Sequence, residues 1–291
     1  MKLCHFAQGR LGLIDGEEVL DVTAALDALP AQTWPLVIGD PLILHLDALV
    51  KRVSEIARGA KSIPLKDAQL LSPIVNPSKV MAVPANYRKH IEIDVMRDSG
   101  VDQGVHAKQF MGVERPVETY GLFIKANSSI HGPSQGIERI LPKRRTDHEV
   151  ELAVVIGKTC RSVSPNEALT YVAGYTIGLD MTVRGSEDRS YRKSADGYTV
   201  LGPAFVTADE IPDPTQIQIW LDLNGQRRQS SSVAAMTVGI SDLVAFASAF
   251  YSLHPGDVIL TGTPEGVGPV EPGDIIRVGG TGLGQMEIRV R

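Results

Sequence analysis

The chain has 291 residues, with 29 Lys+Arg against 34 Asp+Glu and a formal charge of −5. That length buries a substantial core without staples, and a net negative chain lacks the basic field that a nucleic-acid backbone or an anionic membrane would need. The two cysteines, Cys4 and Cys160, build neither a disulfide framework nor a four-cysteine zinc site, which fits a reducing compartment.

The N-terminus carries no basic region followed by an apolar one, and no apolar run approaches the roughly 18 residues of a membrane span. The expectation is a soluble, cytoplasmic protein with no nucleic-acid or membrane partner. With 28 glycines and 18 prolines, the chain should make many tight turns around a strand-rich body.

Taken in chain order, short strand candidates at residues 2–6, 11–14 and 19–22 are punctuated by Gly9 and Asp15-Gly16. Residues 41–57 read as a helix, because Leu42, Leu46, Leu49, Val50 and Val53 recur at three- and four-residue spacings. Residues 58–64 have the composition of a linker, which places a boundary near residue 70 between a small N-terminal domain (1–70) and a larger body (71–291). The body carries strand candidates at 80–83, 149–156, 175–180, 204–206, 217–223, 258–261, 275–278 and 286–290. The clearest alternation is Ile217, Ile219, Leu221 and Leu223, followed by the hairpin signal Asn224-Gly225. Helices are expected at 164–172, with Ser164 as N-cap, Pro165 at the first position and Glu167 in the first turn, and at 241–253, where Leu243, Phe246, Phe250 and Leu253 align. Residues 91–120 show no clear periodicity, which within a compact domain marks either a lid or binding loop or a regular element that the pattern fails to reveal.

The strongest chemical signal is Asp147-His148-Glu149-Val150-Glu151 running into an apolar stretch. On a strand, the period of two sets Asp147, Glu149 and Glu151 on one face and His148, Val150 and Leu152 on the other. Carboxylates that close raise one another's pKa unless a cation or solvent compensates. Either the strand is a solvated edge, or a hard divalent ion, Mg²⁺, Mn²⁺ or Ca²⁺, sits among the oxygens. Asp180 ends the next apolar segment and, if neighbouring strands pair, completes a three-carboxylate set with Glu149 and Glu151.

His90 follows a strand at the start of the lid segment, well placed for proton transfer with Glu92 or Asp94 to orient it. Lys193 is a candidate to neutralise an anionic substrate or enolate. Residues 261–268, Thr-Gly-Thr-Pro-Glu-Gly-Val-Gly, form either a backbone amide cradle or an ordinary turn. Near matches to a phosphate loop (Gly157-Lys158-Thr159) and a zinc-protease helix (His148-Glu149) each lack a required residue, the glycine-rich residues 280–284 are followed by a strand pattern and not by the helix a dinucleotide fingerprint needs, and no Gly-x-Ser-x-Gly elbow is present.

Several motifs occur together in register: Asn86-Tyr87-x-x-His90, Leu122-Phe123-Ile124-Lys125, Asp147-x-Glu149-x-Glu151 with residues 152–158, Gly174-Tyr175-Thr176 to Asp180, Lys193 to Gly202-Pro203, and residues 261–268. From about residue 75 to the end the chain thereby resembles the fumarylacetoacetate hydrolase family. The resemblance implies an α+β, β-rich fold, with a mixed β-sheet roll or barrel-like catalytic domain and a small N-terminal α/β domain, usually dimeric. It further implies Mg²⁺ or Mn²⁺ held by Glu149, Glu151 and Asp180, with Lys193 supporting developing negative charge on a 2-oxo acid. His90 would activate water or shuttle a proton; Glu92 is taken as its catalytic companion, with Asp94 the other acid that could orient it, and Tyr87, Arg184, Gly262 and Thr263 are taken as the substrate contacts.

Two positions depart from the family pattern. Hydrolytic members pair the histidine with a glutamate three residues later, where this chain has Ile93, and Glu187 stands where many relatives carry glutamine. The first expectation is a metal-dependent hydrolase cleaving a C–C bond in a 2,4-dioxo acid, acylpyruvate- or fumarylpyruvate-like, or a related product of aromatic catabolism. An oxo-acid decarboxylase or hydroxymuconate-type isomerase using the same chemistry is the second, and a metal-stabilised binding protein without catalysis the third.

Overall fold

The computed structural model describes residues 1–95, 110 and 112–291; residues 96–109 and 111 of the expected lid lie outside the described residues. The fold is built on one large mixed sheet. Its strands run side by side in the order Ser62–Pro64, Glu18–Asp21, Arg10–Asp15, Lys2–Phe6, Thr199–Thr207, Val172–Asp180, Val150–Ile156, Val258–Leu260, Val80–Ala82 and Phe123–Lys125. Val258–Leu260 pairs with Val80–Ala82 in parallel, and the other neighbours along this path are antiparallel.

The central strand Val150–Ile156 is buried throughout, because both of its faces are covered and its sequence is accordingly an almost unbroken apolar run. Leu152, Val154 and Ile156 enter one core with the antiparallel sheet Gln226–Ser232, Gln218–Leu223, Ile275–Gly280, Gly284–Arg289 and the helix Ile240–Phe250. Ala153 and Val155 enter a second core that contains Leu42, Ile43, Leu49 and Val53 from the N-terminal segment.

This second core crosses the boundary expected near residue 70. Lys2 pairs with Val206 and Leu3 with Phe205, so the first strand extends the central sheet directly. Residues 58–64 differ from a linker: Ser62–Pro64 forms the edge strand on Glu18–Asp21. A partly exposed edge strand carrying proline has the same local composition as a connector.

The predicted helix at 41–57 is divided at His45 into Pro41–Leu44 and Leu46–Ile56, the first capped by the Asp40 carboxylate, which accepts from the Leu42 amide at 3.0 Å. Ser164 does not cap its helix; its hydroxyl donates to Glu167 at 2.7 Å, and the helical turn Pro165–Ala168 continues as the 3₁₀ turn Leu169–Tyr171 before Val172 opens a strand. Phe250, expected on the buried stripe, is 75% exposed, and Leu253 lies beyond the helix end, bridged to Cys160. The hairpin at Asn224-Gly225 forms as read, with φ of 52° and 79°, the pair of positive values that a two-residue turn with the right twist requires. Among the described residues, no helix is long and apolar enough to cross a membrane.

Because the N-terminal helices and the central sheet share one core, thermal unfolding should be a single transition. Leu49→Ala should lower its stability by about 2–5 kcal/mol. Two resolved transitions, only one of them moved by the substitution, would contradict a shared core.

Candidate metal centre

Val150–Ile156 and Val172–Asp180 pair antiparallel, with Val150 opposite Leu179 and Glu151 opposite Gly178. The Asp180 amide donates to the Glu149 carbonyl at 2.8 Å, so this register brings Glu149, Glu151 and Asp180 to one point. All three are buried, and each offers a carboxylate oxygen within 4.8 Å of the other two.

Two lysines supply most of the local counter-charge. Lys193 Nζ lies 2.7 Å from both Glu149 Oε2 and Asp180 Oδ2. Lys125, fully buried at the end of Phe123–Lys125, donates to Asp180 Oδ1, to the Lys193 carbonyl and, at 3.0 Å, to the Tyr198 carbonyl. Burial alone would raise Glu149, but Lys193, Arg184 and His90 outweigh it and hold the carboxyl well below the usual carboxylate range. Glu151 moves the other way: burial, then Asp180 and Glu149, push its pKa well up against Lys193 and the Gly262 amide. Burial works against the charge on Lys193, yet the three carboxylates raise its pKa. For Lys125 burial prevails over Asp180, with Lys193 repelling it further, and its pKa falls.

The strand is interrupted at Glu149, between Thr146–His148 and Val150–Ile156. Asp147 is therefore not part of the three-carboxylate group. It is gripped by Arg145 at 2.6 and 2.9 Å and by Arg184 at 2.8 Å. Arg184 also reaches Glu149 Oε1 at 3.2 Å, tying the two acids together.

His90 is buried, its Nδ1 3.1 Å from Asp94 Oδ2. The same Asp94 oxygen accepts the Gly266 and Val267 amides at 2.7 and 3.2 Å. An acceptor on that side assigns the proton to Nδ1 and leaves Nε2 with the lone pair. Glu92, expected as the catalytic companion, is exposed, and Ile93 is 50% exposed. Residues 91–95 form a π-helical turn continuing Arg88–His90, and the residue four positions on, not two, meets His90 across it.

Tyr87 is 1% exposed with its hydroxyl unpartnered, and burial beside Glu151 and Glu265 pushes its pKa up, so it stays a proton donor. Gly262 (φ +96°) donates its amide to Glu151 Oε2 at 2.6 Å, and a Cβ there would meet Asn86 Cβ at 2.7 Å. Thr263 donates to the Val150 carbonyl and accepts from Gln229 Nε2, at 2.9 and 2.8 Å. Of the four residues expected to contact substrate, Gly262 and Thr263 thus brace the acidic strand, Arg184 joins Asp147 to Glu149, and Tyr87 carries the uncommitted polar group. Glu187 is matched by a two-pronged bond to Arg144 at 2.7 and 2.8 Å, which offsets the charge that distinguishes it from glutamine.

Residues 79–291 match the family described as fumarylacetoacetate (FAA) hydrolase, C-terminal. The chain belongs to the fumarylacetoacetate hydrolase family. It is 50% identical over 291 residues to the maleylpyruvate hydrolase of Aquipseudomonas alcaligenes, covering all of this chain and 99% of that one. It is similar in structure to a maleylpyruvate hydrolase from Sphingobium sp. in complex with manganese(II) and pyruvate, with a TM-score of 0.80 and 36% identity over 100% of this chain and 98% of the other. A mitochondrial oxaloacetate tautomerase from Bos taurus is 41% identical over 178 residues, 58% of this chain and 80% of its own length.

The donor set fits a hard divalent cation: three buried carboxylates meet, and among the described residues Glu151 receives a single protein hydrogen bond. A folded-state pKa raised above the unfolded value of about 4.3 gives stability that is complete at low pH and lost as pH rises. In the metal-free protein, Glu151→Gln should therefore melt at a higher temperature than wild type at pH 8, the gap closing toward pH 4. Equal melting across that range would show that Glu151 is not strained by its neighbours.

Proposed function

We propose that this protein is a divalent-metal-dependent hydrolase that cleaves the C–C bond of a 2,4-dioxo acid of the acylpyruvate class, with maleylpyruvate as its representative substrate. The convergence of Glu149, Glu151 and Asp180 around Lys193 carries this reading, and the full-length similarity to a maleylpyruvate hydrolase supports the substrate class.

Glu149, Glu151 and Asp180 would hold Mg²⁺ or Mn²⁺. Bound there, the ion supplies Lewis-acid stabilisation of negative charge on the 2-oxo carboxylate half of the substrate. The chain's own residues do the rest. His90, oriented by Asp94, takes a proton from water at Nε2 as the water adds to the C4 carbonyl. The C3–C4 bond then breaks, the second acid departs, and the electron pair remains on the pyruvate half as an enolate that is protonated at C3. Lys193 sits beside the carboxylates and offers a positive charge to that enolate. Tyr87 offers its hydroxyl as a hydrogen-bond donor in the same buried space.

Incubated with an acylpyruvate and Mg²⁺ or Mn²⁺, the enzyme should release pyruvate and a second acid in equal amounts, and a chelator should stop the reaction. An isomerised or decarboxylated product without pyruvate would overturn hydrolysis in favour of those reactions. His90→Ala should lower kcat by about 10²-fold or more, and Asp94→Asn should lower it while shifting the pH–rate profile. Undiminished kcat in both variants would remove His90 from proton transfer. Glu92→Gln should leave turnover unchanged.

A further inference from the structure

The strand Gln226–Ser232 buries one residue fully, Gln229, which is 1% exposed between the exposed Arg228 and Ser230. Pairing with Gln218–Leu223 sets Leu221 opposite Gln229 and Asp222 opposite Arg227, so Arg228 is an extra residue in the ladder. A bulge of that kind re-aims the neighbouring side chain, here toward the strand that carries the acidic residues.

The side-chain amide of Gln229 is fully engaged, and its orientation is fixed from both ends. Nε2 donates to Thr263 Oγ1 and to the Pro264 carbonyl, both at 2.8 Å. Oε1 accepts the Val150 amide at 3.1 Å and lies 3.1 Å from His148 Nδ1. A carbonyl only accepts and a backbone N–H only donates, so the nitrogen and oxygen of Gln229 cannot be exchanged. Thr263 completes a closed ring, because its hydroxyl donates to the Val150 carbonyl at 2.9 Å.

Val150 is the residue between Glu149 and Glu151, and it is fully buried. On its side of the strand the neighbour Val258–Leu260 stops opposite Ala153. Past that point Thr261 still reaches the Leu152 carbonyl, but the amide and carbonyl of Val150 are met by the side chains of Gln229 and Thr263. Buried backbone groups need such partners, so this ring stands in for a missing strand. Gly262, next to Thr263 in the same loop, donates to Glu151 Oε2. We propose that Gln229 is a positioning residue of the metal centre: through the ring with Thr263 it pins the peptide of Val150 and so sets the direction of Glu149 and Glu151 toward the ion. The role rests on the reading of Glu149, Glu151 and Asp180 as a metal centre. Ligand oxygens must be held to within roughly 0.5 Å for tight binding, and loss of the ring lets the strand edge relax around Val150.

Titration of the metal-free protein with Mn²⁺, followed by electron paramagnetic resonance, tests this. Gln229→Met keeps the length of the side chain and removes its hydrogen bonds; it should weaken Mn²⁺ binding by about tenfold or more and change the spectrum of the bound ion. Thr263→Val should act in the same direction, and Thr263→Ser, which keeps the hydroxyl, should restore most of the affinity. Because both residues close one ring, the double variant Gln229→Met with Thr263→Val should bind little more weakly than the worse single variant. Wild-type affinity and an unchanged spectrum in Gln229→Met would overturn the proposal, even where that variant melts at a lower temperature, since the residue would then be structural only. Should Gln229→Met fail to fold, wild-type affinity in Thr263→Val overturns it equally. A wild-type protein that binds no Mn²⁺ defeats the metal centre itself and this role with it, whereas tight wild-type binding with unaltered variants defeats this role alone.

Discussion

Three carboxylates held within 4.8 Å of one another inside a protein are the constraint around which this molecule is organised. Burial and mutual repulsion both disfavour three negative charges in that space. The chain answers with two lysines, one bridging Glu149 and Asp180, the other buried beneath Asp180. The compensation is uneven. Glu149 is held firmly ionised while Glu151 is driven toward its protonated form, so positive charge is still wanted on the Glu151 side. A divalent cation meets that need and would turn a strained cluster into a stable one.

The scaffold makes this arrangement rigid. Glu149 and Asp180 are locked by a backbone hydrogen bond across adjoining strands, and Glu151 is fixed by the Gly262 amide, whose close approach to Asn86 leaves no room for a side chain. Asn86 is itself fully engaged: its amide nitrogen donates to the Val238 and Thr261 carbonyls, and its oxygen accepts from Thr237 and the Val238 amide. It joins the turn bearing Tyr87 and His90 to the loop behind Glu151. The turn carrying Tyr87 and His90 and the acidic residues therefore share one set of supports.

Much of this was legible in the sequence, and what was not has physical causes. Period-two spacing and the tendency of successive strands to pair suffice to bring Glu149, Glu151 and Asp180 together. The break at Glu149, which sends Asp147 to the arginines instead, depends on long-range pairing of Thr146–His148 with Thr182–Val183 and Gly268–Pro269, and no local pattern announces it. Asp94 rather than Glu92 meets His90 because residues 91–95 are helical; read as an unpatterned loop, the segment gives no means of choosing between the two acids. Lys125 is a lysine ending a short apolar strand, with nothing in its neighbours to reveal a carboxylate 55 residues away. The boundary near residue 70 is crossed by pairing between Lys2 and Val206, a contact that composition cannot report.

The most direct test is anomalous X-ray diffraction from crystals of the protein loaded with Mn²⁺. One ion bonded to Glu149, Glu151 and Asp180 together, with Lys193 drawn away from at least one of its two carboxylates, is the expected result. Manganese found elsewhere, or the three acids still closed on Lys193 with no ion among them at millimolar Mn²⁺, would contradict the reading of this cluster as a metal centre.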